Sequence, residues 1–475
     1  MRNWAHVQFS DKLPEKLLYM IRFSINTLGC KVNLCESDDI SRELVELGFE
    51  MVGFTGDPDY CIINTCTVTA ETDRKVRQLI RRIKNKNSRA KVIVTGCFTG
   101  NNREFLEDLG IDHIIDNNRK DHIPKLLAEL VGGGDLKGLS RDSAPGADCS
   151  GKISDRKQLT GISHSRPLIK IQDGCEQNCT YCIIPSVRGR YRSTDFLGII
   201  SKICRIEEMG YEEVVLTGIH IGKYGVDTGG IRPGEDGAGA NDLSQLITEI
   251  VGRTKIKRIR ISSLEINEVT TGLLEVIKNN SIRIAPHLHT PLQSGSNRIL
   301  EAMGRPYDRD YFTQKIKAVR KILPGIAITT DIMVGFPGES NSDFAETVSL
   351  VKELNFSKLH VFKYSPRPGT IASKFKEQVD SSQKAKRSEK LRKLGDSLRD
   401  DFLNNNLEKK LLVICENQDK DSGIFSGTSG EYIKAYFKSG RDFKKIHGKL
   451  VQVTPAKRYR DGLWANEIIR ATGKQ

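Results

Sequence analysis

Three cysteines within eight residues, Cys175-Glu-Gln-Asn-Cys179-Thr-Tyr-Cys182, constrain this 475-residue chain more than any other feature. Thiols that merely fill a core do not cluster at Cx3Cx2C spacing. One loop bearing three thiolates in this pattern can hold three corners of a cubane 4Fe-4S cluster, leaving the fourth iron open to a substrate. A structural zinc site, which wants four ligands and usually CxxC pairs, and ordinary reduced thiols are the alternatives. The surrounding pattern supplies a rigid edge for such a loop. From residue 167 the apolar runs PLIKIQ, EEVVLTG, IKRIRIS, APHLHT, IAITTDIMVGF and KLHVFKY alternate with helical patterns. Six such repeats over 161–379 predict a partial or full β/α barrel, whose sites lie at the strand C-termini. The cysteine loop follows the first strand.

Residues 22–130 read as a βαβαβ unit with a parallel sheet, from RFSINTLGC, ESDDISRELVELGF, DYCIINTC, AETDRKVRQLIRRIKNK and KVIVTGC. Cys30, Cys66 and Cys97 each follow an apolar strand, so an open parallel sheet brings these three distant thiols to one edge. Residues 131–160, rich in Gly, Ser and charge, predict a linker, and Gly225–Ala240 a surface insert. A charged helical connector is expected at 380–406. After it, LLVIC, EYIKAYF, KLVQVTP and GLWANEII without intervening helices predict a small β-barrel or sandwich over 407–472. The chain carries 74 Lys+Arg against 60 Asp+Glu, a net +14, and residues 407–475 carry 14 against 8, so almost half the excess lies there. A polyanionic partner is expected. No run of about 18 apolar residues exists for a membrane span, and MRNWAHVQFSDKLPEKLLYM lacks a secretory apolar stretch, so the cytoplasm is the default compartment and no membrane partner is expected.

CxxxCxxC followed by aliphatics in a β/α barrel resembles the radical S-adenosylmethionine superfamily, whose open iron chelates the cofactor's methionine group. Taken with TLGC, INTC, VTGC, IIPSVRGR, LTGIHIGKYG, PHLHTPLQSGS and FKYSPRPGTIA, the chain resembles the methylthiotransferases within it. That resemblance implies an α/β chain of three domains: an N-terminal parallel-sheet domain with a second 4Fe-4S cluster on Cys30, Cys66 and Cys97, a radical barrel with its cluster on Cys175, Cys179 and Cys182, and a TRAM-like RNA-binding β domain. It implies S-adenosylmethionine as cofactor, a tRNA anticodon stem-loop as partner, and an electron donor such as flavodoxin or ferredoxin, with the sulfur donor unidentified. GCKVN and DGC before TYCIIP look most like the branch that methylthiolates C2 of N6-threonylcarbamoyladenosine. The isopentenyladenosine and ribosomal-protein aspartate branches are the alternatives, and a non-enzymatic iron–sulfur RNA-binding protein is the alternative from another class. Leu34-Cys35 departs from the branch pattern, and residues 1–20 precede the family's usual start.

The resemblance places Tyr181 near the adenine, and Gly335 and Gly338 of DIMVGFPGE at the cofactor, where lacking a Cβ permits close approach. Ser262, Ser263, Glu265, Gln293 and Ser294 are candidates for its ribose or amino-acid groups, with helix capping the competing account of the serines. His220, His287 and His289 fall at strand ends, where core histidines are commoner than catalytic ones. Cys61 and Cys204 read as buried small hydrophobes, Cys149 as an exposed linker thiol and Cys415 as a strand residue. In the terminal module, Lys457, Arg458 and Arg460 are candidate RNA contacts, and Tyr432, Tyr436, Phe437 and Trp464 candidate stacking platforms. The connector's Lys384, Lys386, Arg387, Lys390, Arg392 and Lys393 extend the basic surface.

Overall fold

The β-branched runs that read as strands form the interior of three successive units. The computed structural model describes residues 20–67, 70–86, 89–132, 165–228 and 242–471. Residues 1–19, the linker from 133 to 164 with Cys149, and most of the Gly-rich insert lie outside the described residues.

In the first unit, β1 (Arg22–Thr27), β2 (Glu50–Met51), β3 (Tyr60–Thr65), β4 (Lys91–Gly96) and β5 (His113–Ile115) form a parallel sheet of order β2-β1-β3-β4-β5. Its central strands are buried on both faces, Ile62 and Val92 to Val94 among them, because helices cover both sides. Strand order reverses between β1 and β3. Such a switch point opens a crevice at the strand C-termini; Cys30 and Cys66 follow the two strands that flank it, and Cys97 follows β4 beside them.

The second unit has six parallel strands: β6 (Leu168–Asp173), β8 (Glu213–Gly218), β9 (Arg258–Ile261), β10 (His287–His289), β11 (Ala327–Val334) and β12 (Lys358–Lys363). The two-residue β7 (Arg192–Ser193) pairs antiparallel with β6. Bridges Ile259↔Ile284 and Ser263↔His289 join β9 to the β10 side, giving one curved wall with edges at β6 and β12. All six expected runs are strands, and the barrel is the partial form. The Lys31–Glu46 helix of the first unit packs along edge β6, where the buried Cys35 thiol, pushed up to about 12 by burial, donates to Leu168 O at 3.2 Å. Cys35 thereby gains a structural account.

Asp380 caps the Ser381–Asn404 helix by accepting from Gln383 N, and this helix leads to a closed barrel of order β13-β14-β15-β17-β16: β13 (Leu411–Gln418), β14 (Phe425–Ser429), β15 (Lys434–Phe437), β16 (Leu450–Tyr459) and β17 (Gly462–Ala471). The strand β14, FSGTS, was not expected, because its Ser, Gly and Thr read as turn.

The turn between β14 and β15 plugs the end of the second unit where its strands begin. Arg260, fully buried and paired with Glu213, donates to Gly430 O (2.8 Å) and Ser429 O (2.9 Å). Tyr432, with φ of 60°, lays its ring 4.0 Å from the Arg260 guanidinium and 4.4 Å from His287. Lys31 donates to its hydroxyl at 3.4 Å. All three units meet at this one side chain, and Tyr432 is therefore a joint, not a platform for bases. Phe437 is likewise core. His287 is a core histidine, its basicity pushed far down by burial and by Arg260. We expect Tyr432→Ala to cost about 3 kcal/mol in denaturant unfolding and to make the C-terminal barrel separable by limited proteolysis; an unchanged midpoint and digestion pattern would contradict the joint.

Candidate active site

Two tight turns set the barrel loop. Gly174 has φ of 75°, and a Cβ there would meet Arg190 O at 1.8 Å. Gly304 has φ of 71°, and a Cβ would meet Asn178 O at 2.7 Å. Thr180 adds hydrogen bonds from its N to Met303 O (2.9 Å) and from Oγ1 to Ala302 O (2.8 Å). The loop is thus clamped between the start of the site and the turn after the Asn297–Ala302 helix. Within it Cys182 senses the charge of both Cys175 and Cys179, so the three thiols face one space. Burial pushes the Cys182 thiol up to about 12 and raises Cys179. Buried neutral thiols are poor nucleophiles, and become thiolates when a metal supplies the positive charge.

At the sheet edge, Cys66 packs against Gly29, where a Cβ would lie 2.6 Å from the Cys66 Cβ, and Cys97 senses the charge of Cys30. The three thiols expected to converge do so. Asn33 holds the edge in shape, donating to Leu28 O (3.0 Å) and Thr65 O (2.9 Å). Among the described residues, neither trio has its sulfurs all within 4.8 Å of one another. A tetrahedral zinc with bonds of about 2.3 Å would bring them within about 3.8 Å. Three thiols in each set match the three corners that a 4Fe-4S cluster with one open iron asks of a protein, so both donor sets suit 4Fe-4S groups.

A fully buried guanidinium links the two sets. Arg188 donates to Asp173 Oδ1 (2.9 Å), Glu36 Oε1 (3.1 Å) and Asn33 Oδ1 (2.5 Å), and its charge works against the burial that raises the Cys97 thiol. Asp173 in turn accepts from Gly174 N (2.8 Å), next to Cys175. Lys120 (2.5 Å) and Lys170 (3.1 Å) complete the cage around Glu36. Burial alone would raise the Glu36 carboxyl, but Lys120, Arg188 and Lys170 hold it well below the usual range.

Two further residues touch the barrel thiols. His220 Nδ1 lies 3.5 Å from Cys175 Sγ, and Nε2 lies 2.6 Å from Glu268. Burial would lower its basicity, but Cys175 and Glu268 raise it to about 9. Arg305 donates to Cys179 Sγ (3.3 Å), Tyr181 Oη (3.4 Å) and Glu265. Arg305 was not singled out in the sequence; a charged residue in MGRPY carries no periodic signal of its burial. It gathers Tyr181 and Glu265 at the cysteine loop. Ser262 is buried at the end of β9, and Gln293 is half-buried with φ of 68°. Gly335 and Gly338 correct the expectation: the Lys384 side chain fills the space above Gly335 at 2.3 Å from a built Cβ, and Glu377 and Arg298 flank Gly338. Gly335 serves packing against the connector, and Gly338 packing against Glu377 just before it and Arg298 of the barrel. Arg387 is buried against Glu339 and so leaves the basic surface. Arg458 pairs with Asp400 (2.5 Å), whereas Lys457 and Arg460 are exposed beside Tyr459 and Trp464.

Comparison with known proteins adds three kinds of likeness. Residues 22–116 match the Uncharacterized protein family UPF0004 and residues 169–351 the Radical SAM superfamily. The chain is 37% identical to the Threonylcarbamoyladenosine tRNA methylthiotransferase MtaB of Bacillus subtilis, over 91% of this chain and 93% of that one, and 36% identical to the Aquifex aeolicus protein of the same name, over 84% and 94%. It is 30% identical to the tRNA-2-methylthio-N(6)-dimethylallyladenosine synthase of Pelotomaculum thermopropionicum, over 92% and 95%. In fold it resembles the radical S-adenosylmethionine methyltransferase TsrM of Kitasatospora setae, solved with cobalamin and a [4Fe-4S] cluster bound, at a TM-score of 0.53 and 14% identity over 74% of this chain and 77% of that one.

The Glu36 cage yields a pH test. A carboxyl depressed on folding contributes stability above its unfolded value near 4.3 and loses it as pH falls. We expect Glu36→Gln to lose about 3 kcal/mol at pH 7 and to show a flatter decline in stability between pH 5 and pH 3 than the native chain; parallel curves would contradict the cage.

Proposed function

The chain belongs to the radical S-adenosylmethionine methylthiotransferases, in the threonylcarbamoyladenosine branch, and from that premise we propose that it replaces the hydrogen on C2 of N6-threonylcarbamoyladenosine in tRNA with a methylthio group. The observation that carries this reading is the pairing of two three-thiol sets, one on each side of the buried Arg188. When bound, two 4Fe-4S clusters and S-adenosylmethionine would supply the electron transfer, the radical and the methyl group of this exchange, the source of the sulfur being unidentified. Cys175, Cys179 and Cys182 would hold one cluster and Cys30, Cys66 and Cys97 the other.

The chain's own residues position, shield and neutralise. Arg305 and His220 place positive charge beside thiolates that the protein would otherwise bury uncompensated. Tyr181 and Glu265, gathered by Arg305, are suited to line the cofactor's site, with Ser262 and Gln293 in the segments that follow β9 and β10. The barrel wall and the plugged strand-start end limit access of water, which protects a radical from stray hydrogen donors. The branch assignment follows the higher identity to threonylcarbamoyladenosine enzymes than to the dimethylallyladenosine enzyme.

The anticodon stem-loop is the RNA element this reading requires, since the acceptor nucleoside lies beside the anticodon. A one-electron protein such as flavodoxin or ferredoxin is the electron donor that the chemistry calls for, and the cytoplasm, where tRNA is handled, is the compartment. Lys457 and Arg460, with Trp464 beside them, are suited to the phosphate backbone and an unpaired base.

Mass spectrometry of tRNA nucleosides from a host lacking the modification tests the reaction. The native chain should produce 2-methylthio-N6-threonylcarbamoyladenosine and Cys179→Ala should not; the methylthio isopentenyl nucleoside would reassign the branch, and neither product from cluster-loaded protein would reject tRNA. Reconstituted protein should hold about eight irons, and Cys66→Ala about four. For RNA binding, we expect the Lys457→Glu, Arg460→Glu double variant to reduce the salt slope of tRNA affinity by about 1.4 to 1.8, while an unchanged slope would exclude this face.

A further inference from the structure

The inner wall of the barrel carries a polar group that neither cysteine set uses. His289 ends β10, Asp331 lies within β11 and His360 within β12, with Asp331 directly opposite His360 in register. Leu288 and Ile332 belong to the core between the strands and the outer helices, and Leu359 packs against it. Strand alternation therefore turns His289, Asp331 and His360 toward the interior of the barrel. His289 Nδ1 is 2.8 Å from Thr329 Oγ1, which fixes the ring and leaves Nε2 3.3 Å from Asp331 Oδ2. His360 Nδ1 is 3.4 Å from Asp331 Oδ1, and the two imidazole rings lie 5.4 Å apart. Burial would raise the Asp331 carboxyl, but the imidazoles hold it at about 2, so it is an ionised acceptor.

Two residues beyond His360, on the same inward face of β12, Phe362 is 46% exposed, and its register partner is Met333. A large aromatic left open on a barrel's inner wall has no packing role to account for it, whereas an aromatic face is the usual seat for an unstacked base. An acceptor flanked by two imidazoles matches a substituent that offers both a hydroxyl and a carboxylate. An isopentenyl group offers neither and would cover the His–Asp–His group with hydrocarbon that cannot replace the water it displaces.

We propose that His289, Asp331, His360 and Phe362 form the seat of the acceptor nucleoside, Phe362 stacking on the purine and the His–Asp–His group hydrogen-bonding the polar threonylcarbamoyl substituent. The proposal rests on the methylthiotransferase reading above and deepens it to substrate recognition.

Steady-state methylthiolation should be measured at equal iron content with tRNA carrying N6-threonylcarbamoyladenosine and with the same tRNA carrying unmodified adenosine. We expect Phe362→Leu to raise KM about tenfold on the modified tRNA, with Phe362→Tyr near native. We expect His360→Ala and Asp331→Asn to abolish the preference for the modified tRNA. Since Phe362 and His360 are exposed, their replacement should leave the melting temperature unchanged. Native KM and preference in all these variants would overturn the seat. A preference lost on chelation and restored by zinc would overturn it also, assigning the three side chains to a metal ion. If the native enzyme methylthiolates neither tRNA while still cleaving S-adenosylmethionine, the functional reading itself fails, which is a separate result.

Discussion

A single guanidinium, buried without solvent contact, decides the geometry on which this protein depends. Arg188 reaches Asn33 and Glu36 in one unit and Asp173 in the other. Burying an arginine is costly unless every donor is matched and the charge is balanced. The chain balances the charge with two carboxylates and matches both terminal nitrogens of the guanidinium, and only when the two units are docked. The position of one thiol set relative to the other is therefore set by desolvation: any displacement strands a charge.

The same logic recurs at the opposite end of the barrel. Arg258 and Arg260 share the buried Glu213, and their remaining donors are consumed by carbonyls of β13, β14 and the turn that plugs the opening. Charge inside the barrel wall is tolerated because another unit supplies the oxygens. Toward the middle of the wall the arrangement changes, since Asp331 faces imidazoles and an open aromatic. One end of the lumen is committed to holding the fold together and the middle is left with capacity to bind.

Much of this was legible in the sequence. Cysteines after strands imply convergence, because parallel strands present their C-termini along one edge, and this held for Cys30, Cys66 and Cys97. The six barrel strands were equally plain as β-branched runs between helical periods. What periodicity does not encode is which surface a side chain meets. Tyr432 and Phe437 read as platforms for bases, yet one is locked against Arg260 and the other lies in a small barrel's core. Gly335 looked suited to close approach by a cofactor, and the approach is made by Lys384. Arg305 and Arg188 escaped because an arginine's burial depends on partners that lie outside its own local pattern, Glu36 and Cys179 among them.

The plug has a consequence for how the chain comes together. Lys31 and Tyr432, which meet at the joint, stand 401 residues apart. Contacts of such separation form late, after local units have condensed. On the ribosome, both thiol sets are made and their scaffolds can fold before the last strands emerge, so the strand-start end of the lumen is covered only when the C-terminal barrel arrives.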